Sequence, residues 1–271
     1  MLNLGFKGSV PGAWRVPENF KLTAHCCSGL SKSILPNLAL YIPDALSKKD
    51  CDLLIKLFRK QKTAPVAVSG YQTADPNEIG SVRATGWGPE LSAQLWEKLC
   101  AACSAFGVAL GSEYGPVSVN QFTPTDWYAI PGKRKEHTRW IESGISPVLR
   151  FMEYRHGGRH NTHYDMGFDY EAHNPNDHRR TLMSVVWYLN EEPHSGGCTR
   201  FIEDGQSHLP IWNRKLDDWE RSASEDEVLA TQQPHRGGAL IFWHRMAHDV
   251  QEFTGNSRII IRGDIEFTAL N

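Results

Sequence analysis

Three groups of residues in this sequence have types and spacings suited to a metal centre: His163-Tyr164-Asp165, the histidine pair His244 and His248, and the arginines Arg258 and Arg262. Residues two apart on an extended strand point to one face, so His163 and Asp165 can grip a single ion together. An H-x-D triplet is common, yet of the chain's 12 histidines only His163 has an acid two places later. One more histidine completes a two-histidine, one-carboxylate facial triad, the donor set that leaves iron(II) with open positions. His248 and His244 compete for that third place. His244 lies closer to the apolar run Ala239–Trp243 and is equally suited to orienting a ligand or packing in a core. The same donors can hold zinc, which makes a hydrolytic centre the rival reading.

Three protein ligands leave about three positions on iron(II), two for a bidentate keto acid and one for oxygen. The far carboxylate of such an acid needs a cation, and the planar fork of arginine matches it. Arg258 lies ten residues beyond His248, and Arg258, Ile260 and Arg262 share one face of a strand. Two inward arginines are costly unless an anion compensates them. A solvent-facing edge strand is the alternative.

The elements that must position these residues are readable from periodicity. Leu40-Tyr41-Ile42 suggests a short strand and Pro43-Asp44 a turn. Ser47, with Asp50 three residues on, reads as an N-cap with an acidic capping-box partner. Behind it Cys51, Leu54, Leu57 and Phe58 predict an amphipathic helix over 48–60. A second helix is expected from Pro89 to Ala105, where Leu91, Leu95, Leu99 and Cys103 form one stripe. Beyond about residue 115 the texture turns to β, with strands expected at Val148–Arg155, Leu182–Asn190, Thr199–Glu203, Ala239–Trp243 and Arg258–Phe267. Helices first and strands after predict an α+β arrangement, the helices packed on one sheet of a sandwich or barrel. Residues 1–38 read as an N-terminal arm and 39–271 as a single domain. A polar insert at 204–236 carries Trp212, Trp219 and the acidic Glu225-Asp226-Glu227.

Composition excludes little and suggests an ordinary globular chain: 271 residues, 40% hydrophobic, 22% charged, formal charge −2. Near neutrality offers no broad phosphate-binding face, so nucleic acid is not the expected partner. No apolar run approaches the roughly 18 residues of a membrane span, and Met1–Val16 lacks a signal-like apolar core. The six cysteines are scattered, and the single C-x-x-C at Cys100 and Cys103 has no second pair to complete a zinc site. A reducing cytoplasm is the expected setting.

With these residues in place, the chain resembles the prolyl 4-hydroxylase-like branch of the iron(II)/2-oxoglutarate oxygenases, from about Leu40 to Phe267. Leu40-Tyr41-Ile42-Pro43-Asp44-Ala45-Leu46-Ser47 resembles the family's opening strand and turn. Arg150-Phe151-Met152-Glu153-Tyr154 with Gly157-Gly158 and His163-x-Asp165 resembles its next segment. Tyr188-Leu189-Asn190 with Gly196-Gly197-Cys198-Thr199-Arg200-Phe201 follows, and Gly238-Ala239-Leu240-Ile241-Phe242, His244, His248 and Arg258 close it. The order of these pieces is more specific than any one of them.

The resemblance implies a double-stranded β-helix core, jelly-roll or cupin-like, beneath the N-terminal helices. It implies His163, Asp165 and His248 as iron ligands, because the family sets its basic residue about ten positions past the metal histidine. Arg258 would bind the distal carboxylate of 2-oxoglutarate, with Tyr154, Tyr188 and Arg262 beside it. Iron(II), 2-oxoglutarate and oxygen are the implied cofactors, with ascorbate as activator. The implied reaction is oxidative decarboxylation to succinate and carbon dioxide coupled to hydroxylation, desaturation or ring closure; Asp165, a carboxylate where halogenases lack one, favours hydroxylation. His160 stands where a tyrosine is usual, and Asp249-Val250 where Glu-Gly is usual. A small amino acid or natural product is the expected substrate, with a peptidyl residue as alternative and a catalytically dead binding protein as a further one. His160, Arg150 and Trp243 are the expected substrate-side residues, with Trp212 and Trp219 as further candidates.

Overall fold

The computed structural model describes residues 20–22, 32–35, 39–66, 80–105, 110, 139–203, 221–244 and 246–270. Two helices, α1 (Lys48–Phe58) and α2 (Pro89–Ala105), accompany strands that pair antiparallel throughout. The strands are β1 (Lys32–Leu35), β2 (Ala39–Ile42), β3 (Ala64–Pro65), β4 (Ser81–Trp87), β5 (Arg139–Ile145), β6 (Val148–Tyr154), β7 (Gly158–His163), β8 (Arg179–Tyr188), β9 (Thr199–Ile202), β10 (Val228–Gln232), β11 (Ala239–Trp243), β12 (His248–Phe253) and β13 (Arg258–Leu270).

From β6 onward the chain winds between two sheets. The larger has the order β1-β2-β11-β8-β13-β6-β4-β3, with β5 also on β13; the smaller has the order β10-β9-β12-β7. β6, β8, β11 and β13 fall in the larger sheet, while β7, β9, β10 and β12 fall in the smaller. Eight strands divided four and four between the facing sheets, with only the consecutive β9 and β10 staying in one of them, make a double-stranded β-helix, the fold that the resemblance implied. The sheets face one another through Phe201 on β9 against Phe242 on β11, edge to face at 5.4 Å, and through the Tyr188 and Thr199 hydroxyls 2.9 Å apart.

The helices cover the outer face of the larger sheet. Ser47 caps α1 by accepting from the Asp50 amide at 3.0 Å, and the Asp50 carboxylate accepts from the Ser47 amide at 3.4 Å. The helix ends at Phe58, slightly before the expected residue 60. Phe58 stacks on Phe151 of β6 at 5.4 Å, and Arg59 just past the helix forks onto Glu153 at 2.6 and 2.9 Å. Phe151 and Glu153 therefore look outward, which by strand alternation sends Arg150, Met152 and Tyr154 inward. The α2 stripe Leu91, Leu95, Leu99 and Cys103 is fully buried.

β3, β5, β7 and β12 were not among the strands expected from periodicity, and three further features differ from expectation. Residues 32–35, in the stretch read as an arm, form β1 and pair with β2. β4, which the periodicity did not reveal, pairs along β6 from Ser81 opposite Tyr154 to Trp87 opposite Val148. Within the long polar insert, the described residues 221–236 form a 3-10 turn at Glu225–Glu227 that leads into β10, which pairs with β9. Trp212 and Trp219 lie outside the described residues.

A buried ion pair ties that segment to the smaller sheet. Arg200 on β9 and Asp249 on β12 sit directly opposite one another and join through two bonds of 2.8 and 2.6 Å. Asp249 also accepts from the Ala223 amide at 3.1 Å, and Arg200 reaches Glu225 at 2.8 Å. Asp249 thus has a structural task that accounts for its place beside His248. Asp249→Ala leaves the buried Arg200 guanidinium with only the exposed Glu225 as counter-charge and is expected to cost about 3–5 kcal/mol. Urea unfolding with an unchanged m-value checks this, and a loss under 1 kcal/mol would contradict the role.

Candidate metal centre and anion pocket

β7 and β12 run antiparallel, and His163 and His248 are direct cross-strand partners. Opposed side chains project to the same face, so the pairing alone brings the two imidazoles together, ring centroids 4.3 Å apart. Asp165 lies just past the end of β7, its amide bonded to the His244 carbonyl at 2.8 Å. The Nε2 atoms of His163 and His248 each stand 3.8 Å from an Asp165 carboxylate oxygen. One ligand atom from each of the three residues lies within 4.8 Å of the others, a spacing able to hold one metal ion.

The tautomers follow from the backbone. His163 Nδ1 sits 2.7 Å from the Asn161 carbonyl and His248 Nδ1 sits 2.9 Å from the Met246 carbonyl. A carbonyl oxygen can only accept, so each Nδ1 carries the proton and donates it. Each Nε2 is left with its lone pair turned toward Asp165, the arrangement a metal-binding histidine requires.

Electrostatics keep the donors ready. Burial pushes the His248 imidazole down to about 3, with the neighbouring His163 adding to the effect. Burial lowers His163 too, against the opposing pull of Asp165. Burial alone would raise the Asp165 carboxyl; Arg262 first, then the two histidines, outweigh it and hold the group well below the carboxylate range. Arg262 stands 3.0 Å from Asp165, and the Ser184 hydroxyl donates to the other carboxylate oxygen. Neither ring is protonated near neutrality, and the carboxylate is ionised.

Arg258 is different. It is 1% exposed, and none of its three guanidinium nitrogens meets a hydrogen-bond partner among the described residues. The rings of Tyr154 and Tyr188 flank it at 5.0 and 5.4 Å. Gly197 makes the space: at φ +69°, a Cβ there would lie 2.9 Å from Arg258 Cδ. Tyr154 and Tyr188 both stay protonated, because burial raises their phenols. A buried, unpartnered guanidinium costs free energy that a carboxylate would recover.

The remaining expected residues divide. Arg262 faces the cavity but is already bonded to Asp165, Ser184 and Asp264, the last at 2.8 Å. Arg150 also lines the cavity and binds Asp264 at 2.9 Å. His160 lines it as well, stacked on His163 at 4.0 Å. Trp243 does not; it is buried against Phe267, rings 6.0 Å apart and nearly parallel. His244 is fully buried, its Nε2 3.4 Å from Asp264 rather than in the triad. Sequence reasoning missed Ser184 and Thr199. Alternation along β8 gives a signal for the first, since Ser184 shares a face with Val186 and Tyr188.

Residues 149–264 match the model of the 2OG-Fe(II) oxygenase superfamily. Three solved structures are similar to this chain. A prolyl-4-hydroxylase from Pseudomonas putida is 16% identical with a TM-score of 0.46, covering 84% of this chain and 91% of its own. A prolyl hydroxylase from Trichoplax adhaerens, in complex with a hypoxia inducible factor oxygen degradation domain peptide fragment, is also 16% identical, TM-score 0.46, covering 84% and 83%. HygX from Streptomyces hygroscopicus, with nickel, 2-oxoglutarate and hygromycin B bound, is 11% identical, TM-score 0.41, covering 85% and 82%. No curated protein matches the chain by sequence.

The depressed histidines make a pH test possible without metal. The unfolded chain takes up a proton near pH 6.5 that native His248 refuses until about pH 3. This contribution to stability is complete above pH 6.5 and is lost as pH falls through that window; His163 acts in the same direction. The metal-free protein should lose stability from pH 6.5 to 4.5, above the range where carboxylates titrate, and His248→Gln should flatten the decline. Denaturant titrations at several pH values read the slopes, and parallel profiles for the two proteins would refute the account.

Proposed function

With residues 149–264 matching the model of the 2OG-Fe(II) oxygenase superfamily, we propose that the chain is such an oxygenase and hydroxylates a C–H bond of a small amino acid or natural product, with succinate and carbon dioxide as co-products. The observation that carries this reading is the His163–Asp165–His248 cluster sharing one cavity with a buried, unpartnered Arg258. In it, His163, Asp165 and His248 hold iron(II), and Arg258 takes the distal carboxylate of 2-oxoglutarate. When bound, the metal and co-substrate supply the oxidative decarboxylation and the oxidising power.

The chain's own groups orient and shield. The Asn161 and Met246 carbonyls fix the two imidazoles, and Arg262 and Ser184 fix the carboxylate between them. Tyr154 and Tyr188 wall the guanidinium from water, and Thr199 holds the Tyr188 hydroxyl. Val186, Phe242, Val250 and Ile260 supply an apolar lining. The cavity, about 210 Å³, is open to solvent, so a substrate reaches the His163–Asp165–His248 cluster from outside.

His163→Ala and His248→Ala are each expected to abolish 2-oxoglutarate-dependent succinate release. Arg258→Ala removes a charge-assisted pair and should raise the half-saturating 2-oxoglutarate concentration about 10- to 100-fold. Anaerobic iron(II) with 2-oxoglutarate should give a weak visible charge-transfer band that the histidine variants lack. Full turnover in the absence of 2-oxoglutarate would reject the oxygenase reading in favour of a hydrolase.

A further inference from the structure

Four arginines line the cavity: Arg83, Arg150, Arg258 and Arg262. Their opposing charges among the described residues are Asp165 in the lining and Asp264 behind it. Arg262 is bonded to both acids, Arg150 to Asp264, and Arg258 is assigned above to 2-oxoglutarate. Arg83 has no ion pair or hydrogen bond among the described residues, and nothing in the reaction proposed so far uses it. The lining therefore keeps two positive charges in excess. Iron(II) and the 2-oxoglutarate dianion cancel each other, so the excess persists in the loaded site.

Register shows where Arg83 points. It is the direct partner of Met152 on β6, and Met152 is the direct partner of Ile260 on β13. Opposed residues share a face, so Arg83 stands on the same inner face as Met152 and Ile260, both of which line the cavity. It lies two strands from β13, roughly 10 Å at ordinary strand spacing, while Asp165 contacts β13 through Arg262. Arg83 is half-buried, and burial together with Arg150 and Arg262 disfavours its charged form. An oxyanion placed there relieves the desolvation and the repulsion at once, and a guanidinium receives a carboxylate in two parallel bonds.

We propose that Arg83 is a specificity-determining residue that binds a carboxylate of the substrate, on the side of the cavity away from β13, so that the substrate is an acid whose reacting carbon reaches the His163–Asp165–His248 centre from that anchor. The assignment rests on the oxygenase reading given above. It narrows the substrate class to free amino acids, their N-acyl derivatives, or peptides offering a free C-terminus.

The test uses the full chain with iron(II), 2-oxoglutarate and ascorbate. The probes are the common amino acids, their N-acetyl derivatives and Gly-Xaa dipeptides, each supplied both as the acid and as its carboxamide. At least one acid should raise succinate release above the substrate-free rate, with its carboxamide at least 10-fold weaker in kcat/KM. In Arg83→Gln that preference should fall to near unity, and Arg83→Lys should restore part of it. Because the preference is a ratio within one protein, partial misfolding does not mimic its loss. Equilibrium dialysis of the stimulating acid against manganese(II)-loaded protein should show at least 10-fold weaker binding to Arg83→Gln. If no acid exceeds its carboxamide, or if Arg83→Gln keeps the preference, the proposal is overturned. Absence of the anaerobic charge-transfer band from the wild-type protein with iron(II) and 2-oxoglutarate would strike the oxygenase reading instead.

Discussion

The pairing of His163 with His248 across β7 and β12 is the constraint on which the site depends. The two residues are distant in sequence, and only a ladder register makes them neighbours. A slip of one residue would turn one imidazole to the opposite face of the smaller sheet. Much of the surrounding structure holds that register. Arg200 and Asp249 clamp β12 to β9 at the position next to His248, and the Asp165 amide is tied to the strand-end carbonyl of His244. The centre is thus built by backbone pairing first and tuned by side chains afterwards.

Charge is distributed with the same economy. Arg150 and Arg262 are direct cross-strand partners, an arrangement that is repulsive by itself. Asp264 resolves it by accepting from both, one carboxylate oxygen to each. Arg262 then turns its second contact to Asp165, so that a stabilising network on the larger sheet also sets the orientation of a carboxylate beside the two histidines. Ser184 secures the other oxygen of that carboxylate. A conformational error in β13 would therefore be felt at the metal end of the cavity, although no residue of that strand belongs to the triad.

The helices and the strands of the inner core were legible because their residues face one environment each. The stripe on α2 meets only the protein interior, and Ala239–Trp243 is apolar on both faces because both are covered. β4 was not legible for the opposite reason. Its inner-face positions, Ser81, Arg83 and Thr85, are polar, so the alternation that marks a half-buried strand is inverted, and Arg83, the one that lines the cavity, could not be seen as a site residue. β10 was hidden inside a polar stretch because edge strands of the smaller sheet keep one face in solvent. For the histidines, motif order selected His248 over His244, and the structure supplies the physical difference: His244 is fully buried against Asp264, while His248 opens onto the cavity. Trp243 was expected on the substrate side. Phe242 beside it takes the inward position and leaves the indole to the opposite side, against Phe267.

Arg258 and Arg262 show most clearly how a strand can separate structural from functional charge. They occupy the same face of β13, two pleats apart, with the same side chain. Arg262 meets two carboxylates and a hydroxyl; Arg258 meets two aromatic faces and no hydrogen-bond partner. Aromatic faces stabilise a buried cation only in part, so at Arg258 the fold carries an electrostatic deficit that nothing else among the described residues repairs. Replacing Arg258 with an apolar residue of similar volume should accordingly be tolerated by the fold, whereas the same change at Arg262 would leave Asp165 and part of Asp264 without their counter-charge. A deficit held in place by Gly197 and two protonated tyrosines is a site preorganised for an anion that arrives from outside the chain.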